Sequence, residues 1–261
     1  MTVAGDHDTA DVVVDCFGLM HWRDQAAAIA ERAQRVAPGG VLLIQYHELR
    51  AIVRQGQWNM LRLGHYAYYS MSALVEMLAR VGFQARTAWS FDLYGGTVLL
   101  AATRSGSPDP SVLRILEDED RLGIRNADYV SQLESSAKFS AAGLQAWLAD
   151  QKDTGTTVFA YGAASRAVAM LAMAGVDATT LSGVADASAA KWGRRMPGTD
   201  IPIVSPAELL NASPDRVLLL LPDLMDEVRA QLPEIENNGG MWVSTEAIMC
   251  SSSLEAAGRD C

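Results

Sequence analysis

The chain has 261 residues, 49% of them hydrophobic, which is enough to bury two modest cores and favours two domains. Its formal net charge is −10 at neutral pH, so bulk electrostatics disfavour nucleic acid and anionic membranes as partners. The cysteines, Cys16, Cys250 and Cys261, form an odd set without CxxC spacing. This argues against a disulfide framework and a zinc site, and it fits a reducing cytoplasm.

The N-terminal sequence MTVAGDHDTADVVV is acidic and polar ahead of a short apolar run, unlike a signal peptide. No stretch of the sequence approaches the roughly 20 apolar residues that a membrane helix needs. These features predict a soluble protein.

Strands and helices are predicted to alternate from the N-terminus onward. Residues 12–14 lie in an apolar run between aspartates, which predicts a strand buried on both faces. Asp24 can cap a helix that is stopped by Pro-Gly-Gly at residues 38–40, and residues 41–44 form a second buried strand. The apolar positions of this helix recur at helical spacing and are Ala28, Ile29, Ala33 and Val36.

The polar and aromatic segment over residues 45–69 is too long for an ordinary connection, and it predicts a functional loop or a helix-containing insertion. Ser70 then caps a helix that ends at Gly82. Strands at 86–91 and 96–102 flank a turn signal, Asp-Leu-Tyr-Gly, and this pattern predicts a hairpin.

Residues 104–110 have the composition of a linker, so we place a boundary near Ser105, which gives domains 1–104 and 105–261. An amphipathic helix over residues 130–148 is expected to bridge the domains. Beyond it strands and helices alternate, which implies a parallel sheet with right-handed crossovers. The predicted strands are 157–161, 183–185, 216–221 and 241–243, and the predicted helices are 165–174 and 223–231.

Polar side chains follow both predicted strands of the first domain, at the edge where ligands bind in open parallel sheets. Asp15, Cys16 and His21 follow the first strand. His47 and Glu48 follow the second in the same way. An imidazole titrates near neutral pH, so either histidine can act as a base. A polar residue at the start of a helix explains His21 equally well.

Three segments carry a resemblance to a known family. Residues 161–166 read YGAASR, and residues 185–203 read ADASAAKWGRRMPGTDIPI. Residues 57–70, QWNMLRLGHYAYYS, align without gaps to a stretch of the form QFDxxYxEHxxYxS. Over residues 10–245 the chain resembles the deoxysugar C-methyltransferases, which act on nucleotide-linked keto-sugars. The resemblance implies an α/β fold, with a partial class I methyltransferase sheet followed by a second Rossmann-like domain.

The resemblance further implies an enzyme that uses S-adenosylmethionine and methylates a sugar carbon through an enolate. His65 is then the general base, with Tyr68 to orient it and His21 as a further catalytic candidate. Asp15 and Cys16, at the end of the first strand, become the cofactor-binding candidates. Without the family, a histidine in an aromatic stretch is more often structural than catalytic, and the gap-free alignment makes the two explanations about equal.

The second domain is expected to contact the nucleotide-sugar through two loops. The first is a strand, a tight turn and a helix N-terminus, where backbone N–H groups favour phosphate. Its candidate residues are Gly162, Ala163, Ser165 and Arg166. The second loop follows the next strand and contributes Asp186 and Lys191. Close helix packing is the alternative explanation for the first loop, and a solvated turn is the alternative for the second.

Two departures from the family pattern bear on function. Arg62 and Gly64 stand where the pattern has Tyr and Glu, whereas the histidine is kept as His65. The family also begins with a cysteine-rich zinc domain and a GxGxG-type loop, and neither precedes Ala10 here. For an enzyme, we therefore expect the donor-binding strands either to be supplied by another polypeptide or to be missing from this chain. The alternative is a non-catalytic remnant or subunit that binds a nucleotide-sugar or a protein partner.

Overall fold

A computed structural model describes residues 9–62, 64–221, 224–245 and 247–248 of the chain. Contacts between Cα atoms divide the chain into an N-terminal unit, Met1–Leu133, and a C-terminal unit, Glu134–Cys261. Some residues that the sequence analysis used lie outside the described residues, namely residues 1–8, Leu63, Asp223, Cys250 and Cys261.

The N-terminal unit is built on a mixed sheet with the strand order β1-β2-β4-β3. The strands are β1 (Ala10–Cys16), β2 (Val36–His47), β3 (Gln84–Phe91) and β4 (Thr97–Thr103). The first two strands are parallel, and β4 is antiparallel to both β2 and β3, so the predicted hairpin is confirmed. The carboxyl ends of β1, β2 and β3 and the hairpin turn therefore lie at one edge of the sheet.

Three helices of the N-terminal unit pack on this sheet through buried aliphatic side chains, namely α1 (Gln25–Gln34), α3 (Met71–Arg80) and α4 (Pro110–Leu122). Helix α2 (Leu49–Arg54) follows β2 and has its own buried residues. Both predicted caps are confirmed, because Asp24 accepts a hydrogen bond from the backbone N–H of Ala27 and Ser70 accepts one from Ala73. Such caps satisfy helix N–H groups that have no partner within the helix.

Two details of the first βα unit differ from the prediction. Strand β1 is not buried on both faces, because Val12 is 53% and Val14 60% exposed. It is an edge strand, and among the described residues β2 is its neighbour on one side while no strand lies on the other. The helix ends at Gln34 instead of reaching Val36, which is the first residue of β2. Val36 pairs with Ala10, and the register of the two strands shifts between Ala10 and Val12.

Helix α4 belongs to the N-terminal unit, so the boundary near Ser105 differs from the division of the chain into units. Val112 and Ile115 are buried in the same core as the sheet. The Glu119 carboxylate also accepts hydrogen bonds from the backbone N–H groups of Met71 and Ser72, at 2.6 and 2.9 Å. Helix α4 therefore packs into the N-terminal unit through its apolar face and the Glu119 carboxylate, although the sequence before it has the composition of a linker.

The long helix α5 (Ala127–Asp153) matches the predicted amphipathic helix and leads into the C-terminal unit. The sheet of that unit has the order β7-β6-β5-β8-β9, with all pairs parallel as predicted. Its strands are β5 (Val158–Tyr161), β6 (Val184–Ala185), β7 (Ile203–Val204), β8 (Arg216–Leu219) and β9 (Met241–Ser244). Its helices are α6 (Ser165–Met173), α7 (Pro206–Ala212), α8 (Met225–Gln231) and α9 (Glu234–Asn237). The sequence analysis missed the short elements β7, α7 and α9.

In the part of the chain that the structure describes, no helix is both long and apolar enough to span a bilayer.

Candidate active site

Histidines and tyrosines gather at the carboxyl edge of the N-terminal sheet. After β1 the chain turns through a short 3-10 segment, Leu19–His21, before α1 begins. After β2 it forms α2, a second 3-10 segment at Trp58–Met60, and a loop that carries His65 and Tyr68. The backbone N–H of Tyr66 donates to the carbonyl of Met20 at 2.7 Å, so the two loops are held together.

Tyr68 fixes the orientation of His65. The Tyr68 hydroxyl donates to the carbonyl of Met60 at 2.6 Å, and its oxygen accepts from the backbone N–H of Arg62 at 2.9 Å. His65 Nδ1 lies 3.0 Å from the same oxygen. Because the phenol proton is already donated to Met60, Nδ1 of His65 must carry a hydrogen and donate it. The lone pair of the neutral ring is then on Nε2, the atom that could take a proton from a substrate.

His21 is the second imidazole of the site. Its Nδ1 lies 2.9 Å from the carbonyl oxygen of Gly64, which can only accept, so this nitrogen carries a hydrogen. The rings of His21 and His65 meet edge to face, with centroids 4.8 Å apart and an interplanar angle of 80°. The structure therefore brings together all three side chains that the sequence analysis named as catalytic candidates.

The surroundings of His65 favour its neutral form. Partial burial and, after it, the positive charge of Arg62 and the neighbouring His21 together lower the pKa of His65 from 6.5 to about 4. Burial raises the pKa of the Tyr68 hydroxyl, so this phenol keeps its proton. At neutral pH the site thus presents an uncharged base held by an uncharged phenol.

The Asp15 carboxylate shapes the loop that carries His21. Its Oδ1 accepts from the backbone N–H groups of Gly18 and Leu19, and its Oδ2 forms an ion pair with Arg32 at 2.8 Å. A Cβ at Gly18 would lie 2.7 Å from Oδ2, so only glycine allows this close turn. Asp15 is therefore engaged within the chain. These contacts fix the backbone that follows β1.

Cys16, the other cofactor-binding candidate, is free and exposed at the end of β1. Its Sγ donates to Gln45 Oε1 at 2.9 Å. Among the described residues, no group of three or more His, Cys, Asp and Glu side chains could hold a metal ion.

A ring cluster beside the site was only partly visible in the sequence. His47 is buried at the end of β2 and stacks on Phe17, with centroids 4.5 Å apart, while Tyr94 of the hairpin turn meets both rings edge-on. Phe17 and Tyr94 have positive φ angles, 57° and 53°. Strained backbone of this kind is common at functional sites. His47 was a candidate because it follows the second predicted strand. Nothing in the local sequence around Phe17 and Tyr94 predicts that they contact its ring.

The C-terminal unit brings together some of the residues predicted to bind substrate. Asp186 Oδ2 accepts from the backbone N–H of Ala163 at 2.8 Å and from Lys191 Nζ at 2.8 Å. Lys191 Nζ also donates to the carbonyl oxygen of Ala163 at 3.0 Å. Gly162 has φ 100°, and a Cβ there would lie 2.9 Å from Leu221. These contacts tie the loop after β5 to the loop after β6.

Ser165 and Arg166 occupy the first turn of α6, directly after the turn at Gly162 and Ala163. All six residues named for substrate binding therefore lie at the carboxyl edge of the second sheet. Ligands bind at this edge in open α/β sheets.

Comparison with known proteins identifies the family. Residues 92–245 match the family described as C-methyltransferase C-terminal domain, and residues 3–88 match one described as Methyltransferase domain. The first match alone covers more than half of the chain. The chain therefore belongs to the C-methyltransferase family.

The chain is 24% identical to C-methyltransferase NovU of Streptomyces niveus over 244 residues, which cover 92% of this chain and 58% of that protein. It thus spans less than two thirds of the length of this relative. Among solved structures, the chain is similar to magnesium protoporphyrin IX methyltransferase from Synechocystis PCC 6803 with bound SAH. The match covers 38% of this chain and 46% of that protein, with 16% sequence identity and a TM-score of 0.31. A second match, to an O-methyltransferase family protein from Burkholderia thailandensis, covers 38% of this chain and 32% of that protein, with 20% sequence identity and a TM-score of 0.29.

Proposed function

We propose that the chain provides the acceptor-activating part of an S-adenosylmethionine-dependent C-methyltransferase whose substrate is a nucleotide-linked keto-deoxysugar. One observation carries this proposal most directly: a neutral His65 held by Tyr68 at the carboxyl edge of the sheet. Membership of the C-methyltransferase family supports the reaction class.

His65 is the general base in this proposal. Its Nε2 removes a proton from the sugar carbon beside the keto group, and the electron pair of that C–H bond becomes the double bond of an enolate. Tyr68 holds the tautomer that leaves Nε2 free, and His21 packs against the ring. S-adenosylmethionine, when bound, supplies the electrophilic methyl group. Cys16 is exposed at the end of β1, where it could contact this cofactor. Asp15 contributes indirectly, by shaping the loop that carries His21.

The nucleotide part of the substrate is proposed to bind at the carboxyl edge of the second sheet. The turn at Gly162 and Ala163 leads into α6, where Ser165 and Arg166 begin the helix. Asp186 and Lys191 hold the turn in place. The proposed contacts are the backbone of this turn and the side chains of Ser165 and Arg166.

Solvent exchange at the acceptor tests the proposal without a methyl donor. The chain is mixed with thymidine diphosphate linked to a 4-keto-6-deoxyhexose in D₂O, and proton NMR follows the signals of the carbons beside the ketone. We expect exchange that is faster than the buffer rate and that falls about 10²- to 10⁴-fold in His65→Ala. Exchange at the buffer rate in the wild-type chain would contradict the proposed function.

The open edge of β1 supports a second candidate role, a subunit that pairs with another polypeptide. Unpaired strand edges bind further strands readily. In the described part of the chain no strand pairs with β1 on the side away from β2, and Val12 and Val14 of this strand are exposed. We propose that a separate donor-binding segment adds along β1 and completes the sheet.

Co-expression of the chain with the donor-binding part of a related C-methyltransferase tests this role by co-purification. Val14→Lys should abolish association, because the charge lies on the pairing strand. Ser90→Lys, on the edge strand β3 at the other side of the sheet, is the matched control and should leave association unchanged. Equal recovery of the partner with both variants would exclude pairing along β1.

A further inference from the structure

Arg62 is held close to the candidate base. The carbonyl of Arg62 accepts a hydrogen bond from the backbone N–H of His65 at 3.2 Å, and its own N–H donates to Tyr68 at 2.9 Å. Its Nε is buried. The positive charge of Arg62 acts on both His65 and Tyr68, whose pKa values it lowers. The family pattern has a tyrosine at this position.

Gly64 is an exposed position directly before His65. It has φ 91°, a conformation that favours glycine, and a Cβ there would meet no atom within 4 Å. Its carbonyl oxygen receives the hydrogen bond from His21. The pattern's glutamate is thus replaced by an open position whose backbone disfavours a side chain. The site has gained a positive charge and has lost a negative one.

After burial, the largest effect on the pKa of His65 comes from the charge of Arg62, which is positive. This contrasts with the chain as a whole, which carries a net charge of −10. A positively charged site in a negatively charged protein is suited to a negative charge that develops locally. Proton removal by a neutral imidazole creates such a charge on the oxygen of a ketone.

We propose that Arg62 is a catalytic residue that stabilises the enolate oxygen, in place of the tyrosine and glutamate of the family pattern. The inference rests on the proposed function. His65 Nε2 takes the proton from the carbon beside the ketone, the C–H electron pair forms the carbon–carbon double bond, and the carbonyl π pair moves to oxygen. The Arg62 guanidinium donates hydrogen bonds to that oxygen. In D₂O the reverse step returns a deuteron to carbon, so the exchange needs no further reactant.

The exchange measurement on the full chain tests this role with variants at position 62. We expect Arg62→Gln to lower the exchange rate constant about 10²- to 10³-fold, as removal of an oxyanion donor does, with less than about a threefold change in KM. Arg62→Lys should retain at least about a tenth of the wild-type rate, because lysine keeps the positive charge. Its rate should still be below that of the wild type, because the ammonium group lacks the planar set of donors of the guanidinium group. Arg54→Gln, which removes an exposed arginine at the end of α2, is the matched control and should exchange at the wild-type rate.

A second readout separates an electrostatic role from a structural one. Proton NMR of the imidazole signals, without substrate, should show a higher pKa for His65 in Arg62→Gln than in the wild type, and Arg62→Lys should lie closer to the wild type. Exchange within about twofold of the wild type in Arg62→Gln, while His65→Ala is impaired, would overturn the inference and leave the proposed function standing. No exchange in the wild type contradicts the proposed function itself. An unchanged pKa of His65 in Arg62→Gln also counts against the inference, with or without exchange.

Discussion

The imidazole rings of His21 and His65 meet edge to face, with their centroids 4.8 Å apart. Two histidines at this distance cannot both become protonated without mutual repulsion. The positive charge of Arg62 adds to the same effect on His65. His65 is therefore held uncharged where proton removal from a substrate is proposed to occur, and the stability of the fold becomes coupled to pH.

The first prediction concerns stability in acid. The folded state lowers the pKa of His65 to about 4, below its ordinary value of 6.5, so the unfolded state binds the proton more tightly. The stability from this neutral imidazole is complete above about pH 6.5 and is lost as pH falls toward 4. His65→Gln should lose less stability than the wild type over this interval, in urea titrations at pH 7.5, 5.5 and 4.5. Tyr66→Phe, which changes an exposed ring, should show the same pH dependence of the free energy of unfolding as the wild type. If the wild type, His65→Gln and Tyr66→Phe all show the same pH dependence, His65 does not couple stability to pH.

The second prediction concerns Tyr68, whose hydroxyl joins three groups of the loop. Tyr68→Phe leaves the Met60 carbonyl, the Arg62 N–H and His65 Nδ1 without this partner. We expect a loss of about 2 kcal/mol in the free energy of unfolding and slower solvent exchange, because the His65 tautomer is no longer fixed. Tyr66→Phe should change stability by less than about 0.5 kcal/mol. If Tyr68→Phe exchanges as fast as Tyr66→Phe, the hydroxyl does not orient the base.

The third prediction concerns the start of α3. Glu119 is buried and binds the backbone N–H groups of Met71 and Ser72 as well as the Ser72 hydroxyl. Glu119→Ala should reduce the free energy of unfolding of the N-terminal unit by about 3 kcal/mol, because these donors are left without an acceptor in a buried place. Glu117→Ala, on the exposed side of the same helix, should cost less than about 0.5 kcal/mol. Equal losses in the two variants would show that α4 does not support α3 through this carboxylate.

Local patterns predicted most of the helices and strands. Asp24 and Ser70 are polar residues ahead of an apolar repeat, and both cap helices as expected. The apolar run at residues 12–14 looks the same for a central strand and for an edge strand, because burial depends on neighbours that local sequence does not encode. The exposure of Val12 and Val14 was therefore unpredictable from the run itself.

The candidate site was predictable where a motif fixed the spacing. His65 and Tyr68 are three residues apart in the gap-free stretch, and the structure places them in hydrogen-bond contact. His21 joins them only because the loops after β1 and β2 meet at one sheet edge, which follows from parallel pairing. The ring contacts of Phe17 and Tyr94 depend on left-handed backbone at non-glycine residues, for which the sequence carries no signal.

The last prediction concerns Asp186, a substrate-binding candidate whose contacts are within the protein. Asp186 accepts hydrogen bonds from the backbone N–H groups of Ala163 and Ser188, and it pairs with Lys191. Because Asp186 is buried, its removal should destabilise both loops by roughly 2–3 kcal/mol. Hydrogen exchange read by mass spectrometry should then show faster exchange at Ala163 and Ser188 in Asp186→Ala.

Two variants make this last test specific. Asp200→Ala removes an exposed carboxylate near Arg195, and it should leave the exchange of both amides unchanged. Lys191→Met should have a smaller effect than Asp186→Ala, because Lys191 is partly exposed and the two amide hydrogen bonds remain. If the substrate site depends on the loop geometry that Asp186 maintains, binding of thymidine diphosphate should weaken in Asp186→Ala more than in Lys191→Met. Slow exchange at both amides in Asp186→Ala would mean that the loops hold their shape without this carboxylate.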